Sequence, residues 1–108
     1  MALGKIEYKT AAINAAASGD REAVAAVSGA IINVHGYVIK TDGTGGAFRW
    51  ESAAGGTALS GVMILEVAGQ IICPFSEVPW FSAAVGVALS MEVGTGDIDG
   101  HIIYSESS

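Results

Sequence analysis

The chain has 108 residues, room for one domain with a real hydrophobic core, and no internal repeat or boundary divides it. Hydrophobic residues make up 51% and charged residues 15%, against about 25% charged in ordinary soluble domains, so part of the surface is expected to be covered by copies of the chain or by a partner. The net charge is −6, and Lys5, Lys9, Arg21, Lys40 and Arg49 are scattered; without a basic stripe to displace counterions, nucleic-acid binding is excluded.

Cys73 is the single cysteine, so neither an intrachain disulfide nor a thiolate metal cluster can form. Its apolar setting, Gln70 to Phe75, predicts a small buried hydrophobe. Met1 to Lys5 lacks the apolar core of a secretory signal. The longest apolar stretch, Ala23 to Ile32, is broken by Ser28 and Gly29 and is too short to cross a bilayer. The expectation is a soluble protein made in a reducing compartment, with no membrane partner.

In chain order, short alternating runs are punctuated by glycine turns, the pattern of an antiparallel sandwich or barrel. Lys5 to Thr10 sets Ile6 and Tyr8 against Lys5, Glu7 and Lys9; residues 1–10 read as an edge strand or an arm reaching a neighbour. Ser18 to Val27 carries a helix signal, with Asp20 as cap and alanines behind it. Gly29 follows within two turns, so the segment is read as a strand. Ala30 to Lys40 is the longest strand, with Ile32, Val34 and Val38 on one face and Asn33, His35 and Tyr37 on the other.

The turn Asp42-Gly43-Thr44-Gly45-Gly46 reads as a hairpin leading into Ala47–Ser52. There Phe48 and Trp50 share one face, and Arg49 and Glu51 the other. Three short strands follow, at Ala58–Ser60, Val62–Val67 and Ile71–Phe75. Pro74 and Pro79 bracket a loop or edge, and Trp80 and Phe81 open the next piece. Val87, Leu89, Met91 and Val93 alternate with period two. Gly94 to Asp97 turns the chain. Ile98, Ile102 and Tyr104 then alternate with Asp99, His101 and Ser105, and Ser105 to Ser108 reads as a frayed end.

No constellation of reactive residues emerges. His35 and His101 fall on polar strand faces without a nucleophile motif, which predicts surface or interface histidines. With Asp99 they are a weak case for a metal, since zinc needs three or four placed ligands. Asp97-Ile98-Asp99-Gly100 lacks the spaced oxygens of a calcium loop and reads as an acidic turn. Gly43 to Gly46 lacks the helix and lysine of a phosphate loop. Glu51, Glu66, Glu77 and Glu92 cannot be paired from sequence. Trp50 belongs to the core on pattern, whereas Trp80 and Phe81 are candidates for a subunit contact or for stacking on sugars. The chain is expected not to be an enzyme and to carry no cofactor or metal.

The ordered set Ser18-Gly19-Asp20, Ile32 to Tyr37, Leu59-Ser60-Gly61, Pro74-Phe75, Pro79-Trp80-Phe81, Gly86 to Leu89 and Gly100 to Tyr104 resembles a family of small tailed-bacteriophage virion proteins. The resemblance runs from about Thr10 to Glu106. It implies one jelly-roll-like β-sandwich of about eight strands over residues 1–108. It also implies a cement or decoration role on the outside of a phage head assembled in the host cytoplasm. The partners would be further copies in a homotrimer and the major capsid protein, with Ile6, Tyr8, Trp80 and Phe81 as candidate contacts. Another virion position (neck, tail or fibre base) and a carbohydrate-binding module are the alternatives.

Overall fold

The computed structural model describes residues 6–15, 19–41 and 45–108. Its strands in chain order are β1 Lys9–Ala15, β2 Gly19–Val24, β3 Ile31–Thr41, β4 Gly46–Ser52 and β5 Thr57–Ala58. There follow β6 Met63–Leu65, β7 Gln70–Cys73, β8 Phe81–Ser82, β9 Leu89–Thr95 and β10 Ile98–Ser107. One sheet runs β1-β10-β3-β7 with β8 also on β3; the other runs β2-β9-β4-β5 with β6 also on β4. Every pairing is antiparallel. Because β5 and β6 share one side of β4, and β7 and β8 one side of β3, the strands fill eight positions. The chain is an all-β sandwich with jelly-roll winding.

The winding changes one local reading. Asp42-Gly46 is not a hairpin turn, because β3 and β4 lie in opposite sheets; Gly94 to Asp97 turns the chain, but between sheets, since β9 and β10 also lie in opposite sheets. Alternation assigns each side chain a face, but it does not choose a partner strand. Both connections instead cross between sheets, and they meet: a Cβ on Gly96 would stand 1.9 Å from the Gly45 carbonyl oxygen. Both glycines have positive φ, 72° at Gly45 and 76° at Gly96. Asp42, Gly43 and Thr44 lie outside the described residues.

The core lies between the sheets. Trp50 is 0% exposed at its centre, with Tyr37, Phe48 and Phe81 at ring-centroid distances of 5.2, 5.9 and 6.1 Å. Leu89, Met91 and Val93 from β9 and Ile98 and Ile102 from β10 close over it, as their alternation predicts. Burial of each such side chain is worth about 1.5–3 kcal/mol.

In β3 the alternation breaks. Ile103 pairs with Gly36 and Tyr104 with Val34, so His35 is an extra residue without a partner on β10. This β-bulge shifts the inward set from Ile32 and Val34 to Tyr37, Ile39 and Thr41. Tyr37 is therefore in the core and not on the polar face, and Val38 turns outward.

The first strand also sits later than its pattern suggests. β1 begins at Lys9 and runs through the alanine-rich segment to Ala15, pairing residue by residue with Tyr104 to Ile98. Long-range pairing overrides the low strand preference of alanine. Ile6 and Tyr8 precede the strand, and Met1 to Lys5, which include the rest of the predicted arm, lie outside the described residues. The strand reading of 18–27 holds over Gly19–Val24, which pairs with β9 and buries Val24; Ser18 is outside the described residues. The tail is not frayed up to Ser107: β10 pairs there with Ile31–Asn33, and Lys9 bridges to Glu106.

Replacing Gly96 by Ala puts a methyl into the Gly45 carbonyl at a backbone angle that L-residues avoid. Urea denaturation is expected to show a loss of about 3 kcal/mol, while Gly61→Ala, which meets open space, costs well under half of that.

Candidate functional site

The bulge turns the His35 ring out of the sandwich core, yet His35 is only 1% exposed. It is thus a buried histidine and not the surface residue its strand position suggests. Nδ1 lies 2.9 Å from the Ser76 carbonyl oxygen, and Nε2 lies 2.7 Å from Ser105 Oγ. A carbonyl only accepts, so Nδ1–H donates to Ser76; in the neutral ring Nε2 then accepts the Ser105 hydroxyl proton. Tyr8 covers the ring edge-on at 4.9 Å and meets Phe75 edge-on at 5.0 Å. Asn33 extends the network, donating to Ser107 Oγ at 3.0 Å and accepting from Ser82 Oγ at 2.7 Å.

Beside this cluster opens a cleft of about 450 Å³ whose walls include Ile6, Glu77, Pro79 and Glu106. The Ser105–His35 contact has the length of a serine–base pair. The second ring nitrogen, however, is held by a backbone carbonyl where a hydrolase triad places a carboxylate, and Ser105 is itself buried. Its evident work is to fasten the 74–80 loop onto β3 and β10. The same loop is tied by Ser76 N–H to the His35 carbonyl and by Trp80 N–H to the Val34 carbonyl. The fold assigns Tyr8 to this lid, whereas Ile6, half exposed, lies at the rim of the cleft.

Trp80 and Phe81 part company. Trp80 is 53% exposed, with its ring N–H donating to the Pro74 carbonyl at 2.9 Å. Phe81 is half-buried and packs against Trp50 and the core. The two rings consequently do not form a shared sugar-stacking platform. Cys73, half-buried on β7, has its thiol pushed up by burial.

The outer face of the β2-β9-β4 sheet holds the residues able to bind a cation. In register across it stand Asp20, Glu92 and Arg49, and in the next row Glu22, Ser90 and Glu51. Glu51 is 0% exposed, although its strand position predicts a solvent-facing side chain. The Ala53–Gly56 turn folds over it, and Gly55 N–H donates to Glu51 Oε1 at 3.0 Å. Burial, then the neighbouring Asp20 and Glu92 carboxylates, pushes the Glu51 carboxyl above the usual range, while the Gly55 N–H opposes the rise. Among the described residues this acidic trio comes together; His35, His101 and Asp99 do not. No pattern in the sequence marked the trio, because its members lie on three strands whose partners only the winding decides.

No protein-family model, curated protein or solved structure matches the chain.

Replacing His35 by Ala strands the Ser76 carbonyl and the Ser105 hydroxyl and empties the space beneath Tyr8 and Phe75. The expected loss is about 3 kcal/mol in denaturant unfolding. His101→Ala, on the exposed outer face, is expected to stay within about 0.5 kcal/mol.

Proposed function

We propose that this chain is a structural virion protein of the cement or decoration type. In this reading it forms a homotrimer that binds the major capsid protein on the outside of a tailed-phage head and stabilises the shell. The observation that supports a role in assembly is the apolar character of one flank of the sandwich. Along the edge strands β6 and β7 and the segments that flank and join them stand exposed Val62, Ile64, Val67, Ile72, Phe75 and Val78. Ile64 alone is 82% exposed. Single exposed hydrophobics are ordinary, but a run along one edge marks an association surface.

That flank is also where the sheets offer unpaired backbone, since β6 and β7 are short outermost strands. A contact between this flank and a different surface of a neighbour is heterologous, and where its rotation closes such contacts form rings, of which a trimer is one. The surplus of negative charge fits work beside packaged nucleic acid without adhering to it. The setting on a phage head draws on the ordered segments from Ser18 to Tyr104. The glycan-binding alternative has weaker support, because Phe81 faces the core and leaves Trp80 as a lone ring.

Light scattering on the purified protein is expected to give three times the 10.9 kDa chain mass, and Ile64→Glu a folded monomer. The native protein is expected to co-sediment with expanded phage heads stripped of their decoration. A native monomer that leaves such heads unbound sinks the proposal. Electron microscopy that finds the protein at the neck, tail or fibre base instead overturns the head assignment and keeps a structural role.

A further inference from the structure

The chemistry of the acidic face on β2, β9 and β4 is independent of any assembly role. One oxygen each from Asp20, Glu51 and Glu92 lies within 4.8 Å of the others. Exposed acids often cluster without consequence, but Glu51 is fully buried and its Oε2 makes no hydrogen bond. Arg49 has Nη2 3.7 Å from that oxygen and Nε 3.4 Å from Glu92 Oε1. One guanidinium thus reaches two of the three carboxylates, at distances longer than good charge-assisted hydrogen bonds. A second buried group is also unmet: Ser90, 1% exposed and in register between Glu22 and Glu51, has an Oγ with no hydrogen-bond partner.

A buried carboxylate oxygen against two further carboxylates is costly unless a cation or a shared proton stands between them. We propose that Asp20, Glu51 and Glu92 bind a hard divalent cation, calcium by preference, with the Ser90 hydroxyl as a further oxygen donor. The donor set is all oxygen, which selects hard cations over zinc or copper. Calcium, with bonds of about 2.4 Å, accepts an irregular and flexible oxygen set, whereas magnesium, at about 2.1 Å, demands near-ideal octahedral geometry. The rim is open at Asp20, which is exposed, so water can complete the coordination. The cation would tie edge strand β2 to β9 and β4 and hold the 53–56 turn through Glu51.

The full chain, freed of metal with chelator and titrated at neutral pH with calcium or magnesium chloride, provides the test. Calorimetry is expected to show one calcium per chain, with magnesium weaker by tenfold or more. Saturating calcium is expected to raise Tm by about 5 °C. Asp20→Asn, an exposed change that leaves folding intact, and Glu51→Gln are each expected to weaken calcium at least tenfold; Glu77→Gln, remote on the 74–80 loop, leaves it unchanged. Absence of heat and of any Tm shift with both cations at millimolar concentration overturns the site. So does calcium binding that survives Asp20→Asn and Glu51→Gln alike. If Glu51→Gln stabilises the chelated protein while the native chain binds neither cation, a shared proton occupies the position and the proposal falls.

Discussion

The extra residue at His35 is the constraint on which the functional half of the molecule depends. β3 is the longest strand and is paired on both sides, by β10 and by β7 and β8. A strand of eleven residues with strict alternation would send Tyr37, Ile39 and Thr41 to the outside. The bulge rotates that second half by one residue, so both halves bury their apolar side chains against the same opposing sheet. The residue left over is a histidine with two ring nitrogens to satisfy. The 74–80 loop and Ser105 supply the partners, and the same contacts bring Phe75 and Tyr8 over the ring. One local irregularity therefore aligns the core and anchors the loop that presents Trp80.

Much of this was legible in the residues. Phe48 and Trp50 against Arg49 and Glu51, and Leu89, Met91 and Val93 against Ser90 and Glu92, specify inward and outward faces without structural knowledge. The prolines at 74 and 79 rightly bracket a loop. Partner choice was not legible: Asp42-Gly46 has turn chemistry suited to a hairpin, yet the strands on either side enter opposite sheets. The bulge was invisible because Val34-His35-Gly36-Tyr37 reads equally well as uninterrupted alternation. β1 was displaced because its alanines carry little strand signal and gain their conformation from pairing with β10.

The candidate site divides in the same way. Ile6, Tyr8 and Trp80 were singled out as apolar residues beside charges or prolines, and all three are at least partly exposed; Phe81 belongs with Trp50. Glu51 could not be recognised as buried, since an acid beside Arg49 on the polar face of an alternating strand reads as solvated. Its burial arises from the 53–56 turn and from Asp20, which is remote in sequence and adjacent only through the β2–β9 pairing. The sandwich thus has two chemically distinct regions: an apolar flank at β6 and β7, and an acidic outer face on β2, β9 and β4. The first is suited to neighbours, the second to a cation.

Amide hydrogen exchange followed across a dilution series tests assembly through the β6–β7 flank directly. Amides of Met63–Leu65 and Gln70–Cys73 are expected to gain protection as concentration rises, while those of Gly19–Val24 on the opposite edge do not. Exchange at β6 and β7 that is independent of concentration, or protection that appears only at β2, would contradict it.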